Sequence, residues 1–420
     1  MNLRKSFVAA ACGLGVASVL FATTLVAQGG GPIVIPSSGN VPVPPAGQAY
    51  LGGAINDPSL CPSGGCTGTF NQQLAQMTDA FEQPSNFNRT LAIHMLYYNF
   101  DDLFATSNTW SVQQDPRLTD DFSHGRVPII SWNCTGTNTS INNDSNQTTN
   151  NGKTTVYYST GDVANGRWDS IIWQAAENLK NLQRPVYLRY FWEMNIATGK
   201  NTICENSNSL TLSQIEQNYR NAFERIVDIF RAAGANNVSF IWSTWAGTAY
   251  SHYFDSVYPD GLGFYPGPEY VDWIGVDIYD ATTNAANDFT TAMTSNFVGV
   301  GAYDKSSTAG PHVYETYTNP WLYGDVWNGL PAPPIMISET GALYDTSEQV
   351  NYLTSIQQDL ASDYPAIRAI SYFNKNDIQD WLLGTGEPYI GTGMSAFTTM
   401  GQAEGFKCWY NNSEGETNCW

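Results

Sequence analysis

The sequence predicts a (β/α)8 barrel, and two observations carry that prediction. Eight short apolar runs, each bounded by turn residues, recur along the chain, and amphipathic helical patterns separate many of them. Several runs are almost continuously apolar, as expected for parallel strands that are covered on both faces. Strands that alternate with helices in this way close into an eight-stranded barrel. An open doubly wound sheet is the alternative, but the glycine-rich phosphate loop of that fold does not follow the first strand.

The predicted elements follow from these patterns in chain order. The strands are Tyr50–Ile55, Thr90–Tyr98, Val127–Trp132, Pro185–Phe191, Val238–Ser243, Val271–Ile278, Ile335–Ser338 and Ile367–Phe373. The helices with a spacing of 3.6 residues are Gln72–Phe81, Ile171–Leu182, Leu212–Ala233 and Glu348–Asp363. Thr211 and Ser347 are expected to cap the last two helices, because a hydroxyl there accepts a bond from a free backbone N–H. Asn133–Asn151 and Asp304–Leu330 are expected to be long loops that shape a cleft.

The composition excludes several classes of protein. The 420 residues are 42% hydrophobic and only 13% charged, with 13 Trp, 24 Tyr and 19 Phe, so the chain is able to bury a large core. The net charge is −20, from 18 basic and 38 acidic residues. Nucleic acids and anionic membranes bind basic surfaces, so neither is expected as a partner. A neutral or cationic partner remains.

The N-terminal residues predict export. Arg4 and Lys5 precede an apolar run, Phe7–Ala27, which has the layout of a secretory signal. An uncleaved membrane anchor is the alternative, since the run is long enough to span a bilayer. We divide the chain into a signal peptide (1–27), a disordered Gly/Pro-rich linker (28–48), the barrel (49–405) and a disulfide-tied tail (406–420). The expected location is extracellular, periplasmic or at the cell surface, and the expected state is a monomer.

The cysteines agree with export. Of the seven, Cys12 leaves with the signal, and the remaining six allow fifteen pairings. Proximity in the sequence favours the pairs Cys61–Cys66 and Cys408–Cys419, which leaves Cys134–Cys204. A metal site is not predicted, because the chain has no Cys-x-x-Cys motif and its four His lie at no ligand spacing from a Cys.

The chemistry is expected at the C-terminal ends of the strands, where barrel enzymes carry their active sites. The fourth predicted strand runs into Glu193, and the seventh ends at Glu339. A carboxylate that interrupts an apolar strand end is costly unless it is paired or functional. Two carboxylates that face each other across a barrel mouth are the catalytic pair that glycoside hydrolysis requires. The many aromatic residues fit this interpretation, because sugar rings stack on Trp and Tyr.

Four segments carry a resemblance to a known family. VYLRYFWEMN, VSFIWSTW, VDWIGVDIYD and PIMISETGA resemble successive strands of glycoside hydrolase family 26, and the resemblance extends from about Tyr50 to Leu383. It implies a retaining hydrolase in which Glu193 is the acid/base and Glu339 the nucleophile. The two carboxyl groups should then lie about 5–5.5 Å apart. No metal or organic cofactor is implied.

The resemblance also implies supporting residues. Arg189 would support the carboxylates, Tyr279 would hydrogen-bond the nucleophile, and Trp381 would form the floor of the sugar site. The complete set expected at or around the substrate is Arg189, Trp192, Asn195, Tyr279, Trp132, Trp242, Trp245 and Trp381. Structural alternatives stay open for several site residues: Glu193 and Arg189 as a simple ion pair, Tyr279 as packing at a strand end, and the tryptophans of strands 3 and 5 as ordinary core.

The substrate is the open part of the prediction. Family 26 mannanases usually carry His immediately before the acid/base and Pro two places earlier, whereas this chain has Trp192 and Tyr190. We expect an endo-acting enzyme on β-1,4-mannan or glucomannan, with mixed-linkage β-glucan or β-1,3-xylan as the alternatives. A catalytically silent, glycan-binding barrel is a further alternative. Two other enzyme classes of the same fold are not expected. An aldolase would need a Lys at a strand end, and a metal hydrolase would need clustered His, and the sequence shows neither pattern.

Overall fold

The computed structural model describes most of the chain after the N-terminal segment. The described residues are Val41, 43–44, 48–61, 65–104, 111–138, 147–150, 152–194, Cys204, 210–245, 264–267, 269–281, 289–293, 326–327, 330–331, 333–362, Tyr364, 366–377, 379–386 and 389–402. The signal segment, most of the linker, and the tail with Cys408 and Cys419 lie outside them, so those domain boundaries stay predictions. Within the described ranges, no helix is both long enough and apolar enough to cross a membrane.

Eight parallel strands form a closed barrel, which confirms the predicted fold class. These strands are β1 (Tyr50–Asn56), β2 (Ile93–Tyr98), β3 (Val127–Trp132), β7 (Val186–Tyr190), β8 (Val238–Trp245), β9 (Trp273–Asp280), β12 (Ile335–Ala342) and β13 (Ile367–Lys375). Around the barrel they follow the order β1-β13-β12-β9-β8-β7-β3-β2. The closure of β1 on β13 excludes the open doubly wound alternative.

The strands are buried on both faces, as their near-continuous apolar sequences predict. The first strand requires a glycine where it meets β2. A Cβ at Gly52 would lie 2.1 Å from the carbonyl oxygen of Ile93, so a side chain there would push the two strands apart. β8, β9 and β12 each extend beyond their predicted ends, and the added residues include Trp245, Tyr279 and Glu339.

Helices pack around the barrel. They are α1 (Phe70–Glu82), α2 (Pro116–His124), α3 (Thr160–Ala164), α4 (Asp169–Lys180), α5 (Leu212–Ala233), α6 (Phe289–Ala292), α7 (Ser347–Ser362) and α8 (Thr392–Gly401). The Thr211 hydroxyl accepts a bond from the backbone N–H of Gln214, which confirms the predicted cap of α5. The predicted cap of α7 is wrong by one residue. The Thr346 hydroxyl accepts the bond from Gln349 N at 3.2 Å, and Ser347 is already helical.

A small antiparallel sheet follows β3, where the sequence predicts only a long loop. Its strands are β4 (Thr135–Gly136), β5 (Gln147–Asn150) and β6 (Lys153–Tyr157), in the order β4-β6-β5. β5 is fully exposed, so it lacks the alternating apolar residues from which a strand is recognised. The remaining short strands, β10 (Val326–Trp327) and β11 (Leu330–Pro331), pair with each other.

Two disulfides lie in the described chain, Cys61–Cys66 and Cys134–Cys204, and both pairings are those predicted from the sequence. Cys134 lies at the start of the small sheet, and Cys204 belongs to the connection that follows β7. The second disulfide therefore joins the segments that leave two neighbouring barrel strands at the C-terminal face.

Candidate active site

Glu193 and Glu339 lie at the C-terminal end of the barrel. Glu339 is a residue of β12, and Glu193 follows β7 in a tight turn. The turn has unusual backbone geometry, with φ of 40° at Phe191 and 55° at Glu193. Bulky residues rarely adopt this left-handed region, and such strain is concentrated at functional sites. The backbone N–H of Glu193 donates to the carbonyl of Ser243 on β8 at 3.0 Å, which fixes the turn against the neighbouring strand.

Three donors surround the Glu339 carboxylate. Tyr97 donates its hydroxyl to Oε1 at 3.0 Å, and Tyr279 donates to Oε2 at 2.7 Å. Arg189 Nη2 donates to Oε1 as well. The Tyr279 bond is the contact that the family resemblance implies. Glu339 is almost completely buried, and these three donors hold it in one orientation.

A third carboxylate, Asp277 of β9, completes the polar centre. Arg189 Nη1 donates to both of its oxygens, at 2.9 and 3.0 Å. The hydroxyls of Ser338 and Ser243 donate to Oδ1, at 2.6 and 3.3 Å. Asp277 is the pairing partner of Glu339 in the sheet. An irregularity in the pairing of β12 with β9, between Ile337 and Glu339, places Ser338 and Glu339 on the same side, so consecutive residues both reach the centre.

The three carboxylates lie close enough to interact strongly. One oxygen each of Glu193, Asp277 and Glu339 lies within 4.8 Å of the other two. Burial raises the pKa of Glu193 well above its ordinary value, and the negative charges of Asp277 and Glu339 raise it further. Burial also raises the pKa of Asp277, to about 7, although Arg189 opposes the rise.

The two tyrosines remain neutral donors. Burial and the nearby charge of Glu339 raise the pKa of both Tyr97 and Tyr279 well above 10. A neutral hydroxyl donates to a carboxylate without cancelling its charge, so both tyrosines orient Glu339 by hydrogen bonds alone.

Aromatic rings stand beside this centre on the β9 side. Trp245 stacks on Tyr279, with ring centroids 5.6 Å apart, and Trp381 packs against the same ring at 4.9 Å. Gly341 permits this packing, because a Cβ there would lie only 3.2 Å from the Trp381 ring and 3.2 Å from the Tyr279 ring. Trp245 and Tyr279 are partly exposed, which leaves ring surface for an apolar sugar face.

Trp192 lies on the opposite side of the centre. Its ring packs 5.5 Å from that of Tyr97, and the Arg189 guanidinium lies 4.9 Å from the centroid of the Trp192 ring. The side chain that precedes Glu193 therefore covers the guanidinium and the tyrosine that both bond Glu339.

Two tryptophans of the expected substrate set lie elsewhere. Trp132 is fully buried, stacks on Phe100 and donates its indole N–H to the Phe100 carbonyl. Trp242 is also buried, and donates to the carbonyl of Phe264. Neither has a ring face for a sugar, so the structural alternative describes both. Asn195 lies outside the described residues.

Sequence reasoning missed Tyr97 and Asp277 as site residues. The sequence signal for the site is a polar residue at or beyond a strand end, whereas these two lie within β2 and β9. A usable signal existed for Asp277, because an Asp inside an otherwise apolar strand needs a buried partner. Tyr97 gave no comparable signal, since Tyr is common in strands.

Two clusters in the described chain bring three potential metal ligands together. In one of them Arg189 bonds Asp277 and Glu339, and in the other Arg126 bonds Asp79 and Asp120 beside His124. In each cluster a guanidinium already bonds carboxylate oxygens that a cation would need. We therefore assign neither cluster to a metal.

A barrel with paired carboxylates, hydrogen-bonding tyrosines and exposed tryptophans at its C-terminal mouth defines a glycoside hydrolase. The family comparison agrees with this class. The model of glycosyl hydrolase family 26 matches residues 62–351, which is more than half of the chain, so the chain belongs to that family.

The curated relatives share less than 30% of their aligned residues with this chain. Endoglucanase H of Acetivibrio thermocellus is 24% identical over 247 residues, which cover 54% of this chain and 22% of the relative. A β-1,3-xylanase from a Vibrio species is 29% identical over 121 residues, covering 28% of this chain and 22% of the relative. The matched region thus spans only about a fifth of these relatives.

Solved structures share the fold at low sequence identity. The catalytic domain of an endo-β-1,4-mannanase from Bacillus sp. JAMB-750 has a TM-score of 0.56 at 14% identity, covering 92% of this chain and 97% of that one. A modular endo-β-1,4-mannanase from Cellulomonas fimi has a TM-score of 0.53 at 13% identity, covering 89% and 74%. These similarities show the fold alone.

Proposed function

We propose that this chain is an endo-acting β-glycanase that cleaves with retention, with Glu339 as nucleophile and Glu193 as acid/base. The separation of the two carboxylates carries the proposal. One oxygen of each carboxylate lies within 4.8 Å of one oxygen of the other, which favours the short spacing of retaining enzymes, about 5–5.5 Å between carboxyl groups. An inverting enzyme keeps its carboxyl groups roughly 6.5–9.5 Å apart to hold a water between them.

The first step forms a covalent intermediate. Glu339 attacks the anomeric carbon, and the bond from that carbon to the leaving oxygen breaks as Glu193 gives the oxygen its proton. The raised pKa of Glu193, caused by burial and by two nearby negative charges, keeps this proton in place until it is needed. Tyr97, Tyr279 and Arg189 hold Glu339 so that one lone pair faces the sugar.

The second step restores the enzyme. A water attacks the anomeric carbon and gives its proton to Glu193, while the ester bond to Glu339 breaks. In the intermediate Glu339 is an uncharged ester, so one of the two charges that raised the pKa of Glu193 has gone. Glu193 is then able to act as a base.

The substrate is the finer part of the proposal. β-1,4-mannan or glucomannan is the prediction from the sequence. Mixed-linkage β-glucan and β-1,3-xylan are the second candidates, and two observations favour them. Trp192 fills the place before the acid where mannanases usually have His, and the names of the curated relatives above specify an endoglucanase and a β-1,3-xylanase.

Reducing-end release by the chain without residues 1–27 tests the proposal. The polymers are β-1,4-mannan, glucomannan, mixed-linkage β-glucan and β-1,3-xylan, and one of them should be cleaved. Glu193→Gln and Glu339→Gln should each abolish turnover, whereas Glu177→Gln, on the outer face of α4, should leave it unchanged. Turnover that survives in either of the first two variants would overturn the assignment.

Product stereochemistry tests the mechanism separately. Proton NMR of the first product released should show the β-anomer before mutarotation. Initial release of the α-anomer would contradict retention even if the polymer assay succeeds.

Export and oligomeric state are proposed on the sequence. The signal layout supports cleavage after Ala27, and the two disulfides are consistent with an oxidising location. The N-terminal sequence of the protein recovered from the culture medium would show cleavage. Light scattering should give the mass of a monomer.

A further inference from the structure

We infer that Asp277 is a positioning residue that shares the acid proton with Glu193 and so raises the proton affinity of Glu193. The inference rests on the proposed role of Glu193 and deepens it. It stands on the arrangement of four charged groups at the closed centre of the barrel.

The first argument is the charge balance. Arg189 is completely buried, and it is the positive group that bonds the cluster. Three carboxylates surround it, within 4.8 Å of one another. Glu339 and Asp277 occupy its two Nη groups, so the third carboxylate, Glu193, adds a negative charge that Arg189 does not neutralise. A proton on one of the carboxylates removes this excess.

The second argument is the placement of that proton. Asp277 accepts bonds from Arg189, Ser338 and Ser243, and these donors favour its charged form. A hydrogen bond between Glu193 and Asp277 favours the neutral form of Glu193. Both effects favour placing the shared proton on Glu193 in the free enzyme.

The third argument is what changes during the reaction. The charged and titratable groups that face Asp277 are Arg189 on β7, Glu193 after β7, Glu339 on β12, Tyr97 on β2 and Tyr279 on β9 itself. When the covalent intermediate forms, Glu339 loses its negative charge and Glu193 gains one as it gives up its proton. Asp277 forms no bond to the sugar in the proposed steps, so its carboxylate beside Glu193 favours the return of a proton from water to Glu193.

Direct titration of Glu193 tests the inference without any substrate. The protein is labelled with carboxyl-¹³C glutamate, and Glu193→Gln identifies the resonance. In Asp277→Asn, the midpoint of the Glu193 titration should fall by about one pH unit or more, because a nearby negative charge is gone. Asp272→Asn is the matched control. Asp272 precedes the same strand at the opposite end of the barrel, where it accepts from Phe240 N, and its replacement should leave the midpoint unchanged.

The result that overturns the inference is an Asp277→Asn midpoint within about 0.3 unit of the wild-type value, or above it. If Asp277→Asn does not fold, the wild-type protein labelled on both Glu and Asp decides. A shared proton requires that both resonances move in each of two steps, and two independent single-step curves would refute it.

Kinetics separate this inference from the proposed function. On whichever polymer is cleaved, the alkaline limb of kcat/KM against pH should move to lower pH in Asp277→Asn and stay in place in Asp272→Asn. Absence of turnover in the wild-type protein would refute the proposed function, while the titration would still decide the role of Asp277.

Discussion

Replacement of Glu193 by Gln should make the folded protein more stable at neutral pH although it removes the catalytic acid. The pKa of Glu193 is raised above 4.5 in the folded state by burial and by the charges of Asp277 and Glu339. The neutral carboxyl therefore stabilises the fold below about pH 4.5, and this contribution is lost as the pH rises towards the folded-state pKa. Gln is neutral at every pH, and its amide N–H is able to donate to Asp277 as the carboxyl does.

The size of the effect follows from proton linkage. Between pH 4.5 and the folded-state pKa, the folded wild-type protein holds a proton that the unfolded chain has released. The free energy of unfolding of Glu193→Gln should therefore exceed that of the wild type by up to about 1.4 kcal/mol for each pH unit above 4.5. This slope is an upper value. The Glu193 side chain is partly exposed, so solvent screens its interaction with the neighbouring charges. The gain stops growing at the folded-state pKa, so the bend in the curve measures that pKa.

Urea unfolding followed by tryptophan fluorescence, in steps of about one pH unit from about pH 4 to 8, measures this difference. Glu177→Gln is the control, since it removes a carboxylate paired with Lys180 on the surface and should change stability by less than about 0.5 kcal/mol. A Glu193→Gln difference that is zero or negative at neutral pH would refute the reasoning, because it would mean that the cluster tolerates the third negative charge at no cost.

Three further predictions concern a hydrogen bond, a disulfide and a buried arginine. Tyr279→Phe should lower kcat/KM roughly 10- to 100-fold, because it removes a hydrogen bond to the charged Glu339 carboxylate. Unchanged polymer cleavage would contradict this. Removal of the Cys134–Cys204 disulfide by two Ala substitutions should cost about 4 kcal/mol, given its span of 70 residues, and an unaltered urea midpoint under oxidising conditions would argue against it. Arg126→Met should cost about 3–5 kcal/mol at neutral pH, because it leaves four bonded carboxylates without their cation. The Arg126→Met loss should shrink towards pH 4 as those carboxylates take up protons, and a pH-independent loss would refute this account.

The barrel could be predicted because its strands are apolar on both faces. Val127–Trp132 has the same bounds in the sequence pattern and in the structure, and the other strands differ mainly at their ends. The ends were misplaced where polar residues enter the strand, as at Asp280 and Thr340. Such residues look like turn signals in a sequence, but here both are buried inside the closed barrel. Thr340 also bonds the hydroxyl of Tyr352 on α7.

The site could be predicted only in part. Strand position and the family resemblance located Glu193, Glu339, Arg189 and Tyr279. Tyr97 could not be found in this way, because its role depends on β2 and β12 facing each other across the barrel, a relation that appears only when the sheet closes. Trp132 was assigned to the substrate set because it ends a strand, but its side chain points outward against Phe230 of α5. Alternation along a strand separates the two directions only when the register is known.

The pairing of β1 with β13 has a consequence for biosynthesis. These strands are the first and the last of the barrel, and every residue of β1 has a partner in β13, from Tyr50 opposite Ala369 to Asn56 opposite Lys375. Until Ile367–Lys375 has emerged from the ribosome, β1 and β12 each present an unpaired edge to solvent, and such edges recruit other strands. A nascent chain that stalls before Ile367 is therefore a substrate for chaperones or aggregation, and the order of synthesis leaves closure of the sheet to its last strand.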